Sequence, residues 1–126
     1  NFIDCSFVEK NGKAFLDAGT FTLDIAEFRE AVKAQATSSE LILGVRPEHI
    51  EIMNQPRGRS ADSIKSSVDM VEPIGVKSIV TTVVGNMMVR VLAPGGFRAA
   101  GGETKWIRYQ RDRIHIIDKN TERVIV

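Results

Sequence analysis

The sequence predicts a mainly β fold: an OB-type small barrel or sandwich of short antiparallel strands, with one clear α-helix near residues 25–35. Three observations carry this. Short apolar runs alternate with turn residues along most of the chain, the spacing of small all-β folds. Two dipeptides, Asn11-Gly12 and Gly85-Asn86, are two-residue hairpin signals. One stretch repeats its apolar residues at helical spacing.

Taken in order, residues 2–9 and 13–17 flank Asn11-Gly12, whose two positions tolerate the positive φ of a type I′ turn. That turn sets Val8 opposite Phe15 and Phe7 opposite Leu16. Phe21, Leu23 and Ile25 alternate as a third strand. The helix then follows, with Asp24 as cap and Glu27 at capping-box spacing. Ile25, Phe28, Val32 and Ala36 fall on one stripe, and Glu27, Arg29, Glu30 and Lys33 on the other faces. Leu41 to Val45 is a continuous apolar run, as in a strand covered on both faces. Arg46-Pro47-Glu48-His49-Ile50 breaks it, and residues 51–53 resume an extended pattern. Residues 54–62 are polar, with Pro56 and Gly58, and read as a mobile loop.

A longer strand is expected over residues 63–72, with Ile64, Val68 and Met70 on one face and Lys65, Ser67 and Asp69 on the other. Strands at 76–84 and 87–92 flank Gly85-Asn86, in a register of Val84 with Met87, Thr82 with Val89 and Val80 with Val91. After the glycines at 95–96 and 101–102, further strands are expected at 104–109, 113–117 and 123–126.

The 126 residues suit one compact domain that can bury roughly two thirds of its surface. Seventeen Lys and Arg against sixteen Asp and Glu give a net charge of +1, which argues against binding DNA through bulk charge. A single cysteine, Cys5, precludes an internal disulfide and points to a reducing compartment. The longest uncharged stretch, residues 78–89, is well short of the roughly 20 apolar residues of a spanning helix. The amino end has no export signal and no initiator Met, as expected of a piece of a longer protein.

Catalytic chemistry is hard to find. Gly101-Gly102-Glu103-Thr104-Lys105 lacks the following helix that a phosphate cradle needs, so it reads as a turn. His49, His115 and Cys5 are far apart in sequence, without the clustering of a metal site or a nucleophile–base pair. Arg57 and Arg59 lie in the polar loop, and Arg98, Lys105, Arg108, Arg111 and Arg113 gather near the carboxyl end. Trp106 and Tyr109 fall on opposite strand faces, and Glu103, Asp112 and Asp118 are interspersed. This charged group reads as a solvated or intersubunit surface rather than a stacking platform for nucleic acid.

Leu43-Gly44-Val45-Arg46-Pro47-Glu48-His49-Ile50 closely resembles the G-[IV]-R-P-E-[HD]-[ILF] signature of one family. This is the carboxyl-terminal regulatory domain, often called the transport-associated OB domain, of ATP-binding subunits in sugar ABC importers of the maltose and glycerol-phosphate type. Other stretches agree in order. Asn1-Phe2-Ile3 is similar to the family's M-N-F junction, and Val71-Glu72-Pro73-Ile74-Gly75 to its V-E-P-[LT]-G strand end. The stretch from Ile114 to Glu122 resembles [IV]-H-[LF]-F-D-x-x-T-G-x, with Ile117 where Phe is usual and Glu122 where Gly is usual.

The signature also has a physical reading. Gly44 permits close backbone approach, Pro47 forces the chain out of the ladder, and Arg46 and Glu48 can hold the corner with charge-assisted bonds. Gly44, Arg46, Pro47, Glu48 and His49 are therefore the candidate site, as a structural corner and an interface, with no catalytic, cofactor or metal residue expected. The resemblance implies one regulatory-domain fragment over residues 1–126: hairpin, strand and helix in 1–40, and the OB-like β portion in 41–126. It implies a non-catalytic chain whose ATP and Mg would sit in an upstream ATPase domain, since no Walker motif occurs here. The implied partners are a second copy of the chain, that ATPase domain, the membrane permease subunits, and regulatory proteins or small effectors. The implied location is cytoplasmic, at the inner face of the cell membrane. Two alternatives stand beside this reading: an OB-type binder of single-stranded nucleic acid, and a small-molecule effector sensor.

Overall fold

The computed structural model describes residues 1–57 and 62–126, so Arg59 lies outside the described residues. The fold is mainly β and OB-type, and the described residues form two five-stranded antiparallel sheets and one short α-helix. Backbone contacts divide the chain into two units. The first comprises Phe2–Gly44 with Ile114–Val126, and the second comprises Asn1 with Val45–Arg113. The fifth strand of the first unit's sheet is thus supplied by the carboxyl end of the chain.

In the first unit, β1 (Phe2–Lys10), β2 (Lys13–Asp17), β3 (Thr22–Asp24), β4 (Glu40–Gly44) and β10 (His115–Asp118) pair in the order β10-β4-β1-β2-β3. The first hairpin has the expected register, Phe7 with Leu16 and Val8 with Phe15. Asn11 and Gly12 both take positive φ, 54° and 76°, as a type I′ turn requires. Alternation buries Ile3, Cys5, Leu16, Leu23, Leu41 and Leu43 on one face of this sheet.

The helix is shorter than the periodicity suggests. The Asp24 Oδ1 atom accepts the Ala26 N–H at 2.9 Å, and the chain turns tightly there. The stretch therefore opens as a 3-10 turn, Ala26–Phe28, before α1 (Arg29–Gln35). Seven residues cannot hold a helix unaided. Ile25 and Val32 are fully buried beneath it, and the Glu9 carboxylate on β1 binds Arg29 at 2.8 Å and Lys33 at 3.0 Å. Those two cations keep the Glu9 carboxyl below the ordinary carboxylate range.

In the second unit, β5 (Ile50–Met53), β6 (Ile64–Pro73), β7 (Lys77–Val84), β8 (Met87–Pro94) and β9 (Thr104–Tyr109) pair in the order β5-β9-β6-β7-β8. The second hairpin also has the expected register through Val84–Met87, Thr82–Val89 and Val80–Val91. Gly85 supplies the positive φ, 62°, at its first loop position. Val80, Thr82, Val89 and Val91 are fully buried, and the Thr82 hydroxyl donates across the pair to the Val89 carbonyl at 2.9 Å. A hydroxyl can occupy the core because this bond satisfies it.

Three expectations need correction. Met70 is not on the face of Ile64 and Val68. A β-bulge between Val68 and Met70 inserts Asp69 and turns Met70 outward, 48% exposed. At the bulge, Val68 is tied to the turn after Gly101: Gly102 N–H donates to the Val68 carbonyl (2.7 Å) and Val68 N–H to the Glu103 carbonyl (2.8 Å). The expected last strand, 123–126, is a single bridge between Ile117 and Val124, supported by Ile125 N–H donating to the Ile116 carbonyl at 2.7 Å. Similarly, residues 111–113 form a 3-10 turn, and β10 begins only at His115. Glu122 adopts φ 60°, a left-handed conformation that costs a side-chain-bearing residue about 1–2 kcal/mol.

Candidate functional site

Gly44 ends β4, paired with Phe2 on one side and His115 on the other. A Cβ placed there would lie 3.5 Å from Ile117 Cδ1, 3.6 Å from Phe2 Cε1 and 3.7 Å from His115 Cβ. These are ordinary contacts, so the close approach expected at Gly44 is not what the structure has.

Residues 45–49 open the second unit. Val45 exchanges backbone bonds with Asn1: its N–H donates to the Asn1 carbonyl at 3.0 Å, and its carbonyl accepts a bond from the Asn1 backbone nitrogen at 2.9 Å. The Asn1 side chain then imitates a strand partner for Arg90 on the edge of β8. Its Oδ1 accepts the Arg90 N–H at 2.8 Å, and its Nδ2 donates to the Arg90 carbonyl at 2.9 Å. Arg46 is extended (φ −74°, ψ 147°), as a residue before proline prefers, and Pro47–His49 forms a 3-10 turn. His49 N–H closes that turn onto the Arg46 carbonyl at 3.0 Å, and the His49 carbonyl accepts the Gln110 N–H at 3.0 Å.

Backbone groups and Asn1 therefore hold the corner. Arg46 and Glu48 are exposed and form no ion pair with each other among the described residues, which corrects their expected role. His49 is half-buried, and its Nδ1 is enclosed without a hydrogen-bond partner among the described residues.

The basic group near the carboxyl end does not form one solvated surface. Lys105, only 8% exposed, shares the buried face of β9 with Ile107 and Tyr109. Its Nζ meets Glu103 Oε2 at 3.0 Å and the Asn54 side-chain oxygen, and lies 5.7 Å from the centre of the Phe97 ring. A buried ammonium needs this combination of carboxylate, amide oxygen and ring face. Arg111 reaches Asp62 at 4.0 Å, while Arg57, Arg98 and Arg113 are exposed. Tyr109 is buried, which raises its phenol pKa, and Trp106 is half-buried.

Asp118 is the most heavily bonded carboxylate. It is 1% exposed, and its oxygens accept the Thr37 hydroxyl (2.8 and 3.0 Å), the Thr37 N–H (3.3 Å) and the Thr121 hydroxyl (2.8 Å). Burial works to raise its pKa, but the hydrogen bonds from Thr37 and Thr121 prevail and hold it below the ordinary range. Asp118 thereby fastens the segment after α1 to the end of β10. Burial pushes the Cys5 thiol up to about 12, so it is a packing residue rather than a nucleophile. Cys5 and His115 belong to the first unit and His49 to the second. Among the described residues, no group of three or more His, Cys, Asp or Glu side chains is arranged to hold a metal ion.

Sequence reasoning named Asn1, Lys105 and Gly95 but did not assign the roles they take here. A Cβ on Gly95 would sit 2.2 Å from the Val76 carbonyl oxygen, so the backbone packs directly against it. Only Lys105 carries a local signal, because strict alternation along β9 puts it beside Ile107 and Tyr109.

The sequence profile of the TOBE domain family matches residues 43–117, from the end of β4 through Val45–Arg113 of the second unit and into β10. The chain belongs to the TOBE domain family. The MalK OB fold domain matches residues 1–50 of this TOBE protein. Its curated relatives include the uncharacterized ABC transporter ATP-binding protein YurJ of Bacillus subtilis, 25% identical over 99% of this chain and 35% of YurJ. They also include the sulfoquinovosyl glycerol transport ATP-binding protein SmoE of Agrobacterium fabrum, 28% identical over 89% of this chain and 30% of SmoE. A third, the sn-glycerol-3-phosphate import ATP-binding protein UgpC of Salmonella typhi, is 29% identical over 65% of this chain and 22% of UgpC. The TOBE chain thus spans about a third or less of the length of these relatives. Among solved structures, it shares its fold with the cytoplasmic molybdate-binding protein ModG, at TM-score 0.64, 14% identity, and coverage of 92% of this chain and 94% of that one. Among the described residues, no helix is long and apolar enough to cross a membrane.

Proposed function

We propose that this TOBE domain is the non-catalytic regulatory and dimerisation module of an ATP-binding subunit in a carbohydrate-type ABC importer. The observation that carries this reading is the alignment of nearly the whole chain with about a third of an ABC transporter ATP-binding protein. Two other relatives are named for sulfoquinovosyl glycerol transport and sn-glycerol-3-phosphate import. In this reading ATP and Mg belong to an upstream ATPase domain. The protein works at the inner face of the membrane through its permease subunits. Gly44, Arg46, Pro47, Glu48 and His49 form a structural corner, with the exposed Arg46 and Glu48 side chains available to a partner.

The mechanism is a tether. Two regulatory modules that stay in contact keep their ATPase domains at high effective concentration while those domains are apart. Closure on ATP then avoids much of the entropic cost of association. Two experiments test this. The coding sequence upstream of Asn1 is expected to carry Walker A and ABC signature motifs, and an unrelated domain there overturns the importer reading. Light scattering at high concentration is expected to show self-association, and a strict monomer overturns the tether.

A further inference from the structure

The first unit holds a hollow that the corner at Gly44 does not use. After β10 the chain folds back along that edge strand, with Val124 bridging to Ile117 and Ile125 N–H donating to the Ile116 carbonyl at 2.7 Å. Beside it lies a partly enclosed space of about 300 Å³, lined by Gln35, Thr37, Thr121, Arg123, Val124 and Ile125 around the Asp118 carboxylate. Its walls are fixed. Asp118 N–H donates to the Arg123 carbonyl at 2.9 Å, Glu122 N–H donates to the Asp118 carbonyl at 2.8 Å, and the Asn120 amide donates to the Thr37 hydroxyl at 3.1 Å. Asp118 itself ties Thr37 on one wall to Thr121 on the other. Glu122 is held left-handed in this turn, at φ 60°, and side-chain-bearing residues kept in that region cluster at ligand clamps.

The lining decides what such a space accepts. Asp118 is 1% exposed and each of its oxygens already accepts two hydrogen bonds, so a cation does not reach it. The Thr37 and Thr121 hydroxyl protons point to that carboxylate. What remains is the Arg123 guanidinium, which forms no ion pair among the described residues, the exposed Gln35 amide, and the Val124 side chain, 58% exposed. We propose that this hollow binds a small organic anion, its carboxylate or phosphate held by Arg123 and its short aliphatic stem lying on Val124 and Ile125. A guanidinium fork matches either headgroup with two parallel bonds. A volume at the lower end of ligand pockets admits a headgroup and a stem of only a few carbons. The negative charge of Asp118 beneath the site opposes the anion, so binding is weak, with a dissociation constant of about 1–10 mM. A bound anion would join the chain after β10 to the segment after α1. The site stands on the first unit's own residues and does not depend on the tether reading.

The test is a titration of the chain followed by amide chemical shifts, at constant ionic strength. The probes are butyrate and glycerol phosphate, each beside its neutral counterpart, butyramide and glycerol, up to about 50 mM, well above the expected dissociation constant. At least one anion is expected to give saturable shifts confined to residues 35–37 and 118–125, and the one that does identifies the headgroup. The neutral counterparts should give none. Arg123→Gln, at an exposed position, should weaken the binding about tenfold or more, with an unchanged thermal midpoint as the check on folding. Arg98→Gln, an exposed position in the second unit, should leave it unchanged. No saturable shift from either anion overturns the proposal. So do neutral counterparts that bind as well as the anions, or an Arg123→Gln chain that binds like wild type. The comparison of anion with neutral counterpart needs no variant, so it decides the matter even where Arg123→Gln loosens the turn.

Discussion

Gly44 and Gly95 make opposite use of a missing side chain. Gly44 sits in the most recognisable motif of the chain, yet a Cβ there would meet only ordinary contacts beginning at 3.5 Å. Gly95 lies in a glycine-containing loop outside the signature, yet a Cβ there would collide with the Val76 carbonyl oxygen at 2.2 Å. The corner around Gly44 is built from backbone bonds and Asn1, and its Arg46 and Glu48 side chains are exposed. The seat around Gly95 depends on one atom being absent. Motif membership and mechanical necessity are therefore separate properties, and each has to be read from contacts.

The largest expected effect tests that statement at the seat. Gly95→Ala has no flexible side chain to push aside, so the β6–β7 turn must move. Overpacking against rigid neighbours costs about 3 kcal/mol. Urea unfolding should show that loss, and a change below about 1 kcal/mol would mean the turn yields easily. The comparison would then lose one side.

Asp118 sharpens the comparison from within a motif, because here the signature side chain is itself the fastening. Its pKa is depressed in the fold, so its contribution is present above the unfolded-state value of about 3.9 and is lost as pH falls through the lower folded value. Asp118→Asn should lower the thermal midpoint at pH 7, because Thr37 and Thr121 then face a weaker acceptor. The deficit should shrink towards pH 3, below the unfolded-state value, where protonation of the unfolded chain erodes what the wild-type carboxylate contributes. Thermal melts at the two pH values check this, and a deficit of equal size at both would assign Asp118 a role other than that of an anion. Some acid sensitivity should remain in the variant, since Glu9 is also held low by Lys33 and Arg29.

What the sequence disclosed follows the range of the interactions. Both hairpin registers were legible because a two-residue turn fixes pairing locally, and the alternating pattern then commits each side chain to a face. The outward turn of Met70 was not legible. It depends on Val68 bonding to Gly102 and Glu103, more than thirty residues away, and nothing near Asp69 announces an inserted residue. Asp118 and Thr37 are 81 positions apart, and Asn1 and Arg90 are 89 apart, so neither partner predicts the other. Lys105 is a different case. Its neighbours Ile107 and Tyr109 identify its face, but grouping residues by charge obscured what alternation already implied.

The smallest expected effect falls on the signature glycine. Gly44→Ala adds a methyl group at contact distance from Ile117, Phe2 and His115, in a strand position with no positive φ to strain it. Alanine also lowers the entropy of the unfolded chain, a gain of about 0.5–1 kcal/mol where the native conformation accepts it. The two contributions nearly cancel, so stability should change by less than about 1 kcal/mol in urea unfolding. A loss of about 3 kcal/mol, matching Gly95→Ala, would show that Phe2 and Ile117 cannot give way and that the corner requires its glycine after all. A stable variant that self-associates less well would instead move the need for Gly44 from the fold to the partner, because the added methyl lies beside the exposed Phe2 ring.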